Sequence, residues 1–239
     1  MSNLKLDNIT ALSMAHSGKK NIRIAIKTFV INDSAYNSSA KERNLVFSCG
    51  HANGIPKESW IQVLEYLISG FPKLKDRILA IHIYDARGQG ESALLNKGLL
   101  PELDTLVPGL WSQGAVDVEE ISEWVLEDAF QRLAKLKSKG LYDGDHINQC
   151  KNIKLIALGH SLGSAHQLLF TTNRLDKGYK PIFDTLICVE PVLWKGASPT
   201  YKDKLTGEEK LLPEYIEEQK KSSLIKNTLR RKDFWENRE

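Results

Sequence analysis

The chain has 239 residues, of which 41% are hydrophobic and 26% are charged, a composition typical of one soluble globular domain of α/β size. Its 33 basic and 30 acidic side chains give a formal net charge of +3, which is too balanced to indicate a nucleic-acid partner. No apolar run approaches the roughly 20 residues that span a bilayer, and the first residues lack a signal-peptide segment.

The first 84 residues predict three strands and one helix. Residues 21–32 alternate between apolar and polar side chains, which predicts a strand with one solvated face near the sheet edge. Residues 44–49 are almost continuously apolar, as in a strand covered on both faces, and residues 78–84 predict the next strand. The helix that follows the loop at 50–56 carries its apolar residues on one side: Trp60, Val63, Leu64, Leu67 and Ile68.

Residues 93–114 contain prolines and several glycines, and we predict a long loop there. The clearest helix is predicted at 116–137. Its apolar stripe consists of Val118, Ile121, Val125, Ala129, Leu133 and Leu136. Strands are predicted at 152–158 and 185–189, on either side of a helix at 162–175. Strands that alternate with helices imply right-handed crossovers and a mostly parallel sheet.

The last 45 residues have a different character from the rest of the chain. Residues 195–239 are rich in Lys, Glu and Arg and contain no strand-like run, and residues 211–229 predict one or two polar helices.

The cysteines indicate neither a metal site nor a disulfide framework. Cys49, Cys150 and Cys188 are an odd number without metal-ligand spacing. Cys49 and Cys188 fall in strand-like runs, so we expect buried small hydrophobic side chains and a reducing compartment. We expect no metal and no cofactor.

The most informative motif is Gly159-His160-Ser161-Leu162-Gly163, directly after the apolar run 153–158. A strand, a G-x-S-x-G turn and a helix in this order lift a serine hydroxyl above a sheet, and the glycines allow a tight turn. Ser161 is therefore the candidate nucleophile. The backbone N–H of Leu162, at the helix N-terminus, is the first candidate donor to an oxyanion.

The loop at 51–54, after the strand at 44–49, supplies the other oxyanion candidate. We expect the backbone N–H of Asn53 to be the second donor, with Gly54 letting the loop fold back. His51 is interpreted as an orienting, hydrogen-bonded histidine rather than as the general base. Asp85 and Arg87, in the polar turn at 85–92, are expected to pair with each other and tie loops together.

Together these motifs resemble the α/β-hydrolase superfamily, in its capped lipase- and esterase-like group. The resemblance covers residues 21–239 and rests on 47–54, 85–92 and 159–163, in the expected order. Residues 51–58 and 189–192, with the basic, tryptophan-containing segment 230–235, are similar to fungal members, including peroxisomal lipase-like enzymes and toxin-pathway hydrolases. The resemblance implies a hydrolase core over residues 1–194 and the start of a helical cap over residues 195–239.

The triad of such enzymes runs Ser, acid, His, and its histidine follows the last strand. The six histidines here are His16, His51, His82, His146, His160 and His166, so none follows His166. His160 and His166 are expected to face away from Ser161. Glu190 is either the triad acid or a strand-end carboxylate satisfied by backbone N–H groups. The pattern predicts that the chain stops inside its cap, without the catalytic histidine.

The sequence thus predicts a serine hydrolase for an ester-like bond of a small hydrophobic or lipid-like acyl substrate, weak or inactive as this chain. A non-catalytic binding module and a truncated product are the alternatives. A cytoplasmic or peroxisomal location is expected.

Overall fold

The computed structural model describes residues 2–15, 21–32, 43–102, 109–139, 152–191, 200–202 and 209–211. The chain divides into two units, Met1–Val192 and Leu193–Glu239. The division into a core over 1–194 and a cap over 195–239 stays a prediction.

A six-stranded mixed sheet organises the described part of the first unit, in the order β1-β2-β4-β3-β5-β6. The strands are β1 Leu4–Ser13, β2 Arg23–Ile31, β3 Leu45–Gly50, β4 Ile78–Tyr84, β5 Lys154–His160 and β6 Thr185–Val189. The pairs β1–β2 and β2–β4 are antiparallel, whereas β4, β3, β5 and β6 run parallel. The predicted mostly parallel α/β-hydrolase sheet is thereby confirmed for these residues.

Five α-helices connect or flank these strands in the described residues. They are α1 Ser59–Gly70, α2 Pro72–Arg77, α3 Gly90–Leu95, α4 Gly109–Ser138 and α5 Leu162–Asp176, with a 3₁₀ helix at Lys97–Glu102. Successive strand residues point to opposite faces of the sheet, so the sheet has two cores. Val46 and Leu155 pack in the core that contains α4 and α5 residues, while Phe47 and Ile81 pack with α1.

The apolar stripe predicted for the long helix is the face that α4 buries. All six of its members are at most 7% exposed: Val118, Ile121, Val125, Ala129, Leu133 and Leu136. The helical period of 3.6 residues was sufficient to predict the buried face, because the whole stripe packs against one face of the sheet.

Strand β2 lies one position inside the edge and has no solvated face, so that part of its prediction was wrong. Ile24 and Ile26 are fully buried, and Ala25, which points to the other face, is only 3% exposed. Strand β1 covers the edge. Most of its side chains are exposed and polar ones interrupt its apolar residues, which hid it from the sequence pattern.

The predicted loop at 93–114 is wrong where the structure describes it. Helix α3 reaches Leu95, the 3₁₀ helix follows, and α4 begins at Gly109. Tertiary hydrogen bonds fix this region: Ser92 Oγ accepts the N–H of Ala25 at 2.8 Å, and Asn96 Oδ1 accepts that of Arg23 at 2.9 Å. Residues 103–108 lie outside the described residues.

In the second unit, the described residues form two short antiparallel strands, β7 Thr200–Lys202 and β8 Glu209–Leu211. The expectation that residues 195–239 hold no strand was therefore wrong. Three-residue strands are too short to show a period in the sequence. The helices predicted up to residue 229 and the segment 230–235 lie outside the described residues.

Two of the cysteines are described, and both are free thiols. Cys49 is fully buried, and burial raises the pKa of its thiol far above the usual range. Cys188 is half-buried rather than buried as expected. Cys150 lies outside the described residues.

No helix among the residues described has the length and apolar character to cross a membrane.

Replacing Leu133, which is 2% exposed in the stripe of α4, by Ala should lower the unfolding free energy by about 2–5 kcal/mol, because a cavity replaces its contacts. Leu94→Ala removes a side chain that is 74% exposed, and should change the unfolding free energy by at most about 0.5 kcal/mol. Urea unfolding measures both, and equal effects would contradict the packing described for α4.

Candidate active site

The turn from β5 into α5 has the geometry of a nucleophile elbow. Ser161 has φ 49° and ψ −107°, a backbone conformation that non-glycine residues rarely adopt. A Cβ on Gly159 would collide with the backbone of Ser164, and a Cβ on Gly163 would collide with the carbonyl group of Gly50. Both glycines of the motif are therefore required by close backbone approach, as the sequence predicted.

Backbone hydrogen bonds connect the elbow to its neighbours on both sides. The N–H of Ser161 donates to the carbonyl oxygen of Val189 at 2.9 Å, which joins the elbow to the end of β6. The N–H of Gly163 donates to the carbonyl oxygen of His51 at 3.1 Å. The structure thus brings the loop after β3 against the start of α5.

The two candidate oxyanion donors lie on the start of α5 and on the loop after β3. Leu162 is the first residue of α5, where backbone N–H groups have no acceptor within the helix and favour negative charge. Asn53 lies on an exposed turn that closes with the N–H of Ile55 donating to the carbonyl oxygen of Ala52 at 3.1 Å. Gly54 has φ 73° in this turn, a conformation that glycine adopts without strain.

His51 uses both ring nitrogens to hold loops together. Its Nδ1 lies 2.7 Å from the carbonyl oxygen of Ala52, and its Nε2 accepts the N–H of Ala86 at 3.0 Å. These partners place the proton on Nδ1, because a carbonyl accepts and an N–H donates. The buried ring therefore fits the orienting interpretation and has no nitrogen left for a serine proton.

The predicted pair between Asp85 and Arg87 is wrong. Buried Asp85 instead accepts hydrogen bonds from Lys57 Nζ at 2.6 Å and from the N–H of Glu91 at 2.9 Å. Arg87 forms two hydrogen bonds to Asp117 of α4, from Nε at 2.8 Å and from Nη2 at 2.7 Å. The two side chains of the turn thus find partners on different elements: Asp85 ties the turn to the loop after β3, and Arg87 ties it to α4.

Lys57 was not found from the sequence, which gives no sign that this lysine is buried. Its side chain is only 1% exposed, and Nζ also contacts Glu91 Oε2 at 2.8 Å. Lys27 of β2 completes the group by contacting Glu58 at 2.7 Å and Glu91 at 2.9 Å. We call Lys27, Lys57, Glu58, Asp85 and Glu91 the lysine–carboxylate network.

The contacts of the network favour the charged forms of Glu58 and Lys57. Burial by itself raises the pKa of Glu58, but the hydrogen bond from Lys27, a backbone N–H and the contact with Lys57 outweigh it and lower this pKa to about 2. For Lys57, burial lowers the pKa, and the hydrogen bonds to Asp85 and Glu91 more than reverse that effect, so the net direction is upward. Opposite charges therefore connect β2, the loop after β3 and the turn after β4 at neutral pH.

Glu190 lies beside His160 in the described structure. Its Oε2 is 3.6 Å from His160 Nε2, and its side chain is 84% exposed. Glu190 also has a positive φ, of 47°, directly after β6. It therefore flanks the elbow, in contact with the residue that precedes Ser161.

His166 of α5 lines a small cavity beside the elbow. The cavity has a volume of about 40 Å³, room for a few water molecules. Leu162, Arg87 and Asp117 also line it. Burial is the main cause that lowers the pKa of His166 to about 4, so the imidazole is neutral at pH 7. The sequence predicted that His166 faces away from Ser161 and gave no sign of this cavity.

Gln167 is a further residue that sequence reasoning missed. This fully buried side chain places Nε2 3.1 Å from the carbonyl oxygen of Ser48, 3.1 Å from Tyr84 Oη and 3.3 Å from the carbonyl oxygen of Leu158. It connects the ends of β3, β4 and β5 beneath the elbow.

Within the described residues, no group of three or more His, Cys, Asp or Glu side chains is arranged to hold a metal ion.

No family model and no curated protein sequence matches this chain. Among solved structures, the peroxisomal α/β-hydrolase Lpx1 of Saccharomyces cerevisiae is 17% identical with a TM-score of 0.46, covering 81% of this chain and 44% of that one. Esterase Est22 is 12% identical with a TM-score of 0.47, covering 84% and 47%. A bacterial heroin esterase is 14% identical with a TM-score of 0.38, covering 80% and 45%.

The chain spans about half the length of these solved structures. The fold itself is the one that the sequence motifs indicated, an α/β-hydrolase sheet with an elbow between β5 and α5.

Gly163→Ala should destabilise the protein by about 1–3 kcal/mol or more, because the new Cβ meets the rigid carbonyl group of Gly50. Gly70→Ala, at the end of α1 with nothing within 4 Å of the added Cβ, is the matched control and should not destabilise. Urea unfolding compares the two. Equal stability of both variants would mean that the backbones do not approach as described.

Glu58→Gln should lower stability at pH 6 and should lose that effect at acidic pH. The folded pKa of Glu58, about 2, lies below its ordinary value of 4.5, so its contribution exists above pH 4.5 and disappears as the pH falls toward 2. Urea unfolding between pH 6 and pH 2 measures the difference between variant and parent. Glu123→Gln, at an exposed position of α4, controls for the charge change. A difference that persists at pH 2 would contradict the ion pairing.

Proposed function

We propose that this chain carries the nucleophile of a serine hydrolase that cleaves an ester bond of a small hydrophobic or acyl substrate. The observation that carries the proposal is the backbone of Ser161, held at positive φ between a strand and a helix N-terminus. Strain of this kind persists only where the surrounding structure imposes it, and it is concentrated at functional sites.

In the proposed reaction, Ser161 Oγ attacks the ester carbonyl carbon while a base removes the hydroxyl proton. The carbonyl oxygen becomes an oxyanion, and the N–H groups of Leu162 and Asn53 donate to it. Collapse of the tetrahedral intermediate releases the alcohol and leaves an acyl group on Ser161. Water then loses a proton to the base and attacks the acyl carbon, the bond between that carbon and Ser161 Oγ breaks, and the carboxylic acid leaves as Oγ regains a proton.

A small or slender substrate is supported by the size of the cavity beside the elbow. Apolar Ile24, Val118 and Ile121 line it together with the polar groups already described. A lipase-like activity and a peroxisomal or cytoplasmic location remain part of the proposal. The two free cysteines support a reducing compartment.

The base is the weakest part of the proposed machinery among the described histidines. Both nitrogens of His51 have partners, and His160 contacts Glu190. His82 is fully buried, with Thr28 Oγ1 at 3.1 Å from Nδ1 and Asp128 Oδ2 at 3.5 Å from Nε2. His166 is the remaining described histidine; it lines the cavity beside the elbow together with Leu162 and is neutral at pH 7. The placements of the other three favour a second candidate function, a hydrolase scaffold that binds a ligand without turnover.

A fluorophosphonate probe combined with added imidazole separates the two candidates. Without a base, Ser161 should label slowly, because an unassisted hydroxyl is a weak nucleophile at pH 7. Dissolved imidazole should then raise the labelling rate by about 10-fold or more, because it acts as an external base. Mass spectrometry of the digested protein should place the label on Ser161.

Ser161→Ala should abolish labelling, whereas Ser164→Ala, three residues along the same helix, should retain it. Rapid labelling of the parent without imidazole would mean that a resident base exists. No labelling under either condition, from a protein that melts cooperatively, would contradict the hydrolase proposal and favour the binding module.

A further inference from the structure

The side chain of Gln89 makes two hydrogen bonds to the turn that carries the second oxyanion candidate. Its Oε1 accepts the N–H of Gly54 at 2.8 Å, and its Nε2 donates to Asn53 Oδ1 at 2.8 Å. One amide group therefore binds both central residues of this turn, one through its backbone and one through its side chain. Both hydrogen bonds are exposed, so they lie outside the hydrophobic core.

The backbone of Gln89 is held by hydrogen bonds of its own. Its backbone N–H donates to the carbonyl oxygen of Ala86 at 2.9 Å, and its carbonyl oxygen accepts the N–H of Ala93 in the first turn of α3. The neighbouring residues Asp85 and Glu91 belong to the lysine–carboxylate network. The amide thus projects from a segment that buried charges hold in place.

We propose that Gln89 is a positioning residue that holds the turn at 51–54 in the conformation that presents the N–H of Asn53 to the reacting oxygen. This inference rests on the proposed function for its chemical consequence. An oxyanion donor is effective only when it is fixed before the reaction, because reordering an exposed loop in the transition state adds to the barrier.

Other hydrogen bonds hold the start of the loop, but they do not reach the two residues that Gln89 binds. His51 binds Ala86 through its ring, and the carbonyl oxygen of His51 accepts the N–H of Gly163. These contacts fix the start of the loop. Asn53 and Gly54 lie beyond them, on the exposed side, and the side-chain hydrogen bonds described for these two residues come from Gln89.

Hydrogen exchange of the full chain tests the structural half of the proposal without any need for activity. In Gln89→Met, which keeps the chain length but removes both hydrogen bonds, the amide of Gly54 should exchange about 3–10-fold faster. Gln89→Glu should retain protection, since its carboxylate accepts the Gly54 N–H and the Asn53 amide can rotate to donate. Gln131→Met, which removes an exposed hydrogen bond to Glu127 on α4, is the matched control.

Fluorophosphonate kinetics in the presence of imidazole test the chemical half. Gln89→Met should reduce the maximal labelling rate constant about tenfold, while the probe concentration giving half of that rate stays within about twofold. A residue that only stabilises the fold would not lower the maximal rate constant while leaving the half-maximal probe concentration unchanged. The melting temperature of Gln89→Met should match that of Gln131→Met.

The outcomes separate the two proposals. If the Gly54 amide of Gln89→Met exchanges at the parent rate, the positioning role is overturned whatever the labelling shows. If exchange accelerates but the labelling rate constant does not fall, the turn does not serve the reaction and the role is also overturned. If the parent chain is never labelled at Ser161, the proposed function fails, and with it the chemical role of Gln89, whereas the exchange result still decides whether Gln89 holds the turn.

Discussion

The approach of two backbones at Gly50 and Gly163 is the constraint on which the rest of the site depends. The first turn of α5 lies so close to the end of β3 that neither position leaves room for an ordinary side chain. The chain reverses sharply beside this contact, and Ser161, two residues before Gly163, has a positive φ. The contact also places the N-terminus of α5, where the N–H of Leu162 has no acceptor within the helix, beside the loop that follows β3.

Polar side chains hold this crowded junction from two directions. Gln167 connects three strand ends from below, within the core. On the rim, Lys57 and His51 connect the loop after β3 to the turn after β4. Buried charges of this kind are costly to separate, because a lone carboxylate or ammonium cannot be left without a partner in the interior. The network therefore contributes to the specificity of loop placement rather than to stability alone.

Local rules were sufficient for those parts of the chain whose structure depends on nearby residues. The stripe of α4 and the elbow glycines were predicted because helix period and turn sterics act within a few positions. The partners of Asp85 and Arg87 were not, because Lys57 is 28 residues and Asp117 is 30 residues distant along the chain. Strand β1 and helix α3 were missed for the same reason, since pairing with β2 and burial of Ser92 decide their conformation.

The most direct test of this account is a crystal structure of the chain after reaction with a fluorophosphonate in the presence of imidazole. The account predicts phosphorus bonded to Ser161 Oγ, a positive φ at Ser161, and a phosphonyl oxygen within hydrogen-bonding distance of the Leu162 N–H. Electron density for the label on another residue, or Ser161 in ordinary helical or extended backbone, would contradict it.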